Sequence, residues 1–134
     1  MTQNVTHAQG ELLAQIRPGV TTPVVAFTGS ELRTEIILIQ AVIDPLAGPT
    51  QTDIAIYHDD SGGSTFDQST IIWSETRLQL LQEPTVIQAQ HPGSGIHVKP
   101  GGQIAVQTAD ADDVTFSIYG ITETLAERAR VGVR

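Results

Sequence analysis

Between Tyr57 and Asp67 the chain reads YHDDSGGSTFD, which gathers His58, Asp59, Asp60, Ser61 and Asp67 into one short segment. Carboxylates and an imidazole at this spacing invite a metal loop, in which oxygen ligands wrap a hard cation such as calcium. Counted from Asp59 as the first ligand of an EF-hand, Gly63 falls where an oxygen ligand is needed and Thr70 where the bidentate Glu belongs. The EF-hand motif is therefore absent. A looser calcium loop stays open beside a solvated hairpin of Asx and Gly turns, and the hairpin is the expectation.

The other reactive residue types are dispersed. His7, His58, His91 and His97 include no i, i+4 pair of the zinc-protease kind and no GxSxG-like elbow. A Ser-His-Asp set assembled from distant positions, as in a cryptic hydrolase, has no local signature. Asp110, Asp112 and Asp113 open the last strand and read as a turn carrying edge-blunting charge. With no cysteine there is neither a disulfide framework nor a thiolate site. A sugar-binding face would need Trp73 together with Tyr57 or Tyr119; Trp73, following Ile71 and Ile72, reads more simply as a core or interface anchor. No catalytic, cofactor or metal residue is assigned.

Charge and composition exclude further classes. Seven Lys plus Arg against fifteen Asp plus Glu leave a net charge of -8, a field that repels nucleic-acid backbones. The opening MTQNVTHAQGELLAQ has no basic and apolar signal pattern, and the longest central aliphatic run is Ile36 to Ile39, so no targeting or membrane segment is expected. The 134 residues suit a single domain that hides about two thirds of its surface on folding.

The elements that must position these groups are strands. Apolar residues alternate with polar ones in Val114 to Tyr119, Gln103 to Gln107, Asp53 to Tyr57 and Leu78 to Leu80. Weaker alternation marks Leu12 to Arg17, Val24 to Thr28, Ile71 to Ser74, Thr85 to Gln90 and Ile96 to Val98. Turn chemistry at Pro18-Gly19, Asp44-Pro45, Gly48-Pro49, Ser61-Gly62-Gly63, Pro92-Gly93 and Pro100-Gly101-Gly102 separates them. The expected fold is all-β, a single antiparallel β-sandwich of jelly-roll type over residues 10–121, flanked by an arm over 1–9 and an arm or short helix over 122–134. Thr124 and Glu127 have the spacing of a helix-starting capping box.

One strand departs from simple alternation. From Leu32 to Val42 the even positions form a core face, while Ile37, Ile39, Ala41 and Ile43 make the other face apolar too. Either the chain covers that second face itself, or the face is a subunit interface. Ile37, Ile39, Ala41, Ile43 and Trp73 are the candidate interface residues. Arg128, Arg130 and Arg134 in the last seven positions join them as clamps for a neighbour's carboxylates.

The run TDIAIYHDDSGGSTFDQSTIIW, Thr52 to Trp73, followed by GGQIAVQTADADDVTFSIYG, Gly101 to Gly120, resembles small β-sandwich virion structural proteins of tailed bacteriophages. TTPVVAFT and TEIILIQAVID are similar to that group's opening strands, so the likeness spans about residues 10–121. The proline-rich DPLAGPT loop and both ends depart from it. The resemblance implies a non-enzymatic virion protein made in a bacterial cytoplasm. Capsid decoration, cementing the head shell through the major capsid protein, comes first, with a tail, baseplate or fibre-base component as the alternative. The row Ile37, Ile39, Ala41 and Ile43 makes a homo-oligomer the expectation, and the resemblance, by analogy alone, makes it a trimer. A carbohydrate-binding module remains a lesser alternative.

Overall fold

The computed structural model describes residues 10–44, 51–78, 85–88 and 95–123. Among these residues nine strands follow one another: β1 (Glu11–Ile16), β2 (Val24–Thr28), β3 (Thr34–Ile43), β4 (Gln51–Asp59), β5 (Ile71–Leu78), β6 (Thr85–Gln88), β7 (Ile96–Val98), β8 (Gln103–Thr108) and β9 (Val114–Thr122). They form two antiparallel sheets, one ordered β1-β9-β3-β6 with β7 also on β3, the other β2-β8-β4-β5. The two short strands share one edge of β3, β7 opposite Thr34 to Ile36 and β6 opposite Leu38 to Ala41.

This order is that of a jelly roll. Pairing β1 with β9, β2 with β8, β3 with β6 and β7, and β4 with β5 makes one long folded ribbon. Rolling the ribbon sets β9 beside β3 and β8 beside β4, which closes the two sheets over a common interior. Ile36, Ile39, Ala41, Ile43, Val114, Phe116 and Ile118 fill it from one sheet, and Ile54, Ile56, Ile104 and Val106 from the other. The strand alternation supplies these side chains at every second position, so two half-apolar sheets have one stable solution, face to face.

β3 corrects the sequence reading. A β-bulge interrupts its pairing with β9 between Ile36 and Leu38. One extra residue shifts the frame, and with a side-chain period of two every later residue changes face. Thr34 and Ile36 point inward before the bulge, and Ile39, Ala41 and Ile43 after it, each 1–2% exposed. Leu38 and Val42, expected inside, pair with Tyr119 and Thr115 on the outside. Ile37 is the extra residue. It is buried but lies outside the main core cluster, against Gly10, where a Cβ would come within 2.8 Å of its Cδ1. The row Ile37, Ile39, Ala41 and Ile43 is therefore covered by the chain itself and offers nothing to a neighbour.

Other boundaries shift slightly. β5 runs on to Leu78, while Gln79 and Leu80 of the expected alternation lie outside the described residues, and β9 extends to Thr122, one residue beyond the expected domain limit. The helix start at Thr124 lies outside the described residues.

Candidate functional site

The reactive segment links β4 to β5 and folds back over the outer face of the β2-β8-β4-β5 sheet. On β4, Ile54 and Ile56 point into the core, so Tyr57 and Asp59 share a face with neither of them, and both are nonetheless buried. The loop makes this possible. The rings of Tyr57 and Phe66 lie 6.2 Å apart at 53°, the Tyr57 hydroxyl donates to Gln107 Oε1, and Ser64 Oγ donates to Gln103 Oε1 at 2.8 Å.

Asp59 organises the turn. Its Oδ1 accepts from Ser61 N at 2.9 Å and Ser61 Oγ at 2.6 Å, and its Oδ2 accepts from Thr65 N at 2.8 Å. Gly62 has a φ of 77° and Ser64 of 56°, the left-handed region that lets the loop reverse. Asp67 repeats the device, accepting from Ser69 N at 2.8 Å and Ser69 Oγ at 2.6 Å. Both carboxyls are held below the ordinary carboxylate value. For Asp59 the Ser61 hydroxyl matters most, followed by the Thr65 and Ser61 amides; for Asp67 it is the Ser69 hydroxyl, then its amide. These are Asx turns of the hairpin kind, with the carboxylate oxygens turned to amides and hydroxyls of the loop. Among the described residues no group of three His, Asp or Glu side chains is placed to hold a metal ion.

His58, Asp60 and Ser61 sit side by side yet are wired separately. His58 Nε2 meets Asp60 Oδ1 at 2.8 Å, and Lys99 N donates to the same oxygen at 3.3 Å. Ser61 gives its hydroxyl proton to Asp59 instead. A nucleophile, base and orienting acid must be connected in series, and here the serine and the histidine belong to different pairs.

A groove of ≈ 450 Å³ runs along the same outer face, bordered by Asp53, Tyr57, Gln68, Ser74, Thr76 and Gln107. Thr76 Oγ1 is hydrogen-bonded to Asp53, and Gln107 Nε2 donates to Thr21 O at 3.0 Å. Of the rings that sugar binding would require, Tyr57 borders it and Trp73 and Tyr119 do not. Tyr57 is turned against Phe66, Trp73 pairs with the core-facing Ile56, and Tyr119 belongs to the other sheet.

Trp73 lies on the edge strand β5, 37% exposed, beside Ile72 at 41%. Arg128, Arg130 and Arg134 lie outside the described residues, as do His7 and His91. The cluster at the head of β9 is a turn, and its cation is Arg17, which sequence reading did not single out. Arg17 Nη2 meets Asp44 Oδ2 at 2.7 Å and its Nε donates to Asp112 O at 2.6 Å. Burial pushes the Asp113 carboxyl above its ordinary value, with help from Asp110, while Arg17 opposes the shift. Asp112 has a φ of 65°, a backbone state that Asp tolerates.

The second region that sequence reading missed is the outer face of the other sheet. Leu12 and Gln15 on β1 pair with Tyr119 and Ser117 on β9, which pair in turn with Leu38 and Gln40 on β3. Val42 and Thr115 continue the face. The alternation of β9 was the available signal, but its neighbours come from remote parts of the chain.

No protein-family model matches this chain, and no curated protein matches it.

Proposed function

We propose that this chain is a non-enzymatic structural protein of a tailed-bacteriophage virion, made in the bacterial cytoplasm, whose role is capsid decoration. It binds the head shell through the major capsid protein and stabilises it. The observation that carries this reading is how the molecule spends its polar and apolar groups. The described Asp, His and Ser side chains of the β4–β5 segment are committed to folding one loop. Large apolar side chains stand exposed on edge strands, Leu12 on β1, Val25 on β2, and Ile72 and Trp73 on β5. Such a molecule works by its surface, through many modest contacts in a symmetric array, where multivalency makes up for weak single contacts. The two segments that resemble phage virion proteins build β4, β5, β8 and β9 and hence parts of both sheets. Fold alone does not assign function, and the resemblance supplies the virion.

Gold-labelled antibody against the chain, applied to gradient-purified particles of the phage that encodes it, tests the reading. Regular labelling of the head is expected, and heads lacking the chain should open at a lower temperature. Labelling confined to the tail would move the protein to a tail, baseplate or fibre-base role. Absence from particles would overturn the reading.

A further inference from the structure

The outer face of the β1-β9-β3 sheet stands out on so acidic a protein. Its outward positions on these strands are Leu, Val, Tyr, Gln, Ser and Thr, and between Glu35 at one end and Asp44 at the other none carries a charge. Leu12 is 51% exposed and Val42 37%. Solvent-facing β positions are ordinarily polar, and on the opposite sheet the exposed Asp53 is charged. From these observations we infer that this face is a self-association surface, and that its occupant is the same face of a second copy.

Electrostatics selects that occupant. The chain carries a net charge of -8, so two copies meeting through most of the surface set carboxylate against carboxylate. An uncharged sheet face meets its own copy without that repulsion. A two-fold contact is self-complementary: where one residue of the first copy meets a second residue of the other, the reverse contact forms as well. Leu12, Leu38, Val42 and Tyr119 then bury apolar surface, and the amides of Gln15 and Gln40 lie among the hydroxyls of Ser117 and Thr115. In each copy Gln15 Nε2 already donates to Ser117 Oγ at 2.9 Å, which holds one amide in place before association.

The size of the face sets the strength. Three strands spaced about 4.8 Å apart and six residues long make a patch of roughly 14 by 20 Å. Two such patches bury on the order of 700 Å² once side-chain relief is included, below the size of stable complexes and in the range of weak, transient ones. The association is therefore weak and concentration-dependent, monomeric when dilute and paired when crowded. It is a two-fold pair, in place of the trimer that the resemblance implies. The inference concerns the isolated protein and stands apart from the virion reading.

Sedimentation of the full chain from ~1 µM to ~500 µM tests it, a range that brackets weak interfaces of this size. The wild type should pass from one copy to two. Val42→Asp and, independently, Leu12→Asp should each weaken pairing by roughly tenfold or more, because each puts an unpaired carboxylate into the contact from both copies. Melting curves and circular dichroism should show both variants folded. Ile72→Asp, on the edge of the other sheet, should pair like the wild type. A wild type that stays monomeric throughout, a mass of three copies, or pairing lost in Ile72→Asp but kept in Val42→Asp and Leu12→Asp would each overturn the assignment. Absence of the chain from virions would leave these sedimentation results unchanged, so the two proposals fail separately.

Discussion

The two outer faces of the sandwich start from the same strand grammar and end differently. On the β2-β8-β4-β5 sheet, Tyr57 and Asp59 point away from the core but are buried, because the β4–β5 loop returns over them and supplies Phe66, Ser61 and Thr65 as partners. On the β1-β9-β3 sheet, Leu12 and Val42 point away from the core and remain exposed. The buried charge of Asp59 sits where the chain covers the face itself, and the outward positions of the other face between Glu35 and Asp44 carry none. An internal partner can be matched to a carboxylate hydrogen bond by hydrogen bond. An external copy brings the same charges back, and an uncharged face meets it without like-charge repulsion.

The sharpest way to break this comparison uses one strand. Ile39 and Val42 are three residues apart on β3, one inside and one outside. Ile39→Asp places an unpaired charge in the core, which costs several kcal/mol and exceeds much of a small domain's stability of roughly 5–15 kcal/mol. Chemical denaturation should show it largely unfolded. Val42→Asp should stay within about 1 kcal/mol of the wild type, the usual range for an exposed position. Comparable losses in the two would mean that the frame shift at Ile37 is misplaced.

That same bulge marks the limit of what the sequence discloses. β8 and β9 were legible because their alternation is unbroken, and Ile104, Val106, Val114, Phe116 and Ile118 are inside as the pattern demands. β3 was not, since no Gly or Pro announces the extra residue between Ile36 and Leu38, and four isoleucines fit either frame. The Asx turns at Asp59 and Asp67 were legible because they close over two to six residues. The uncharged face was not. It exists only once rolling the ribbon brings Gln15 beside Ser117, 102 positions away.

The covered face should also respond to loss of its cover. Phe66 is half-buried against Tyr57, and Phe66→Ala removes that cover at a cost of about 2 kcal/mol, below the range for a fully buried ring. Denaturant midpoints check the figure. Hydrogen exchange should then show the β4 amides around Tyr57 opening more readily, while those of β1 and β9 keep their protection. Equal loss in both sheets would mean that the loop is integral to the whole sandwich.

Acid should act on the same loop. The depressed Asp59 and Asp67 carboxyls contribute stability that is fully present above the ordinary value of 3.8 and lost as pH falls below it toward their folded values. The melting temperature of the wild type should therefore drop below about pH 4 more steeply than that of Asp59→Asn, whose carboxamide has no proton to take up at that position. Parallel curves for the two proteins would remove Asp59 from the account.

Asp113 should give the smallest effect, with the opposite sign. Burial and Asp110 raise its carboxyl above 3.8, so the folded chain holds the neutral form more readily than the unfolded chain does. Ionisation at neutral pH therefore costs stability, and the cost is relieved as pH falls through the raised value and gone below 3.8. Asp113→Asn should raise the melting temperature slightly at pH 7 and match the wild type near pH 3. Arg17 limits the gain, since it already offsets part of the repulsion while paired with Asp44. Asp113→Asn with Arg17→Gln should consequently lose the benefit seen in the single variant, because Asp44 and Asp110 remain charged with no cation between them. If Asp113→Asn is instead less stable than the wild type at pH 7, the carboxylate is making a favourable contact there that outweighs its burial and the charge of Asp110.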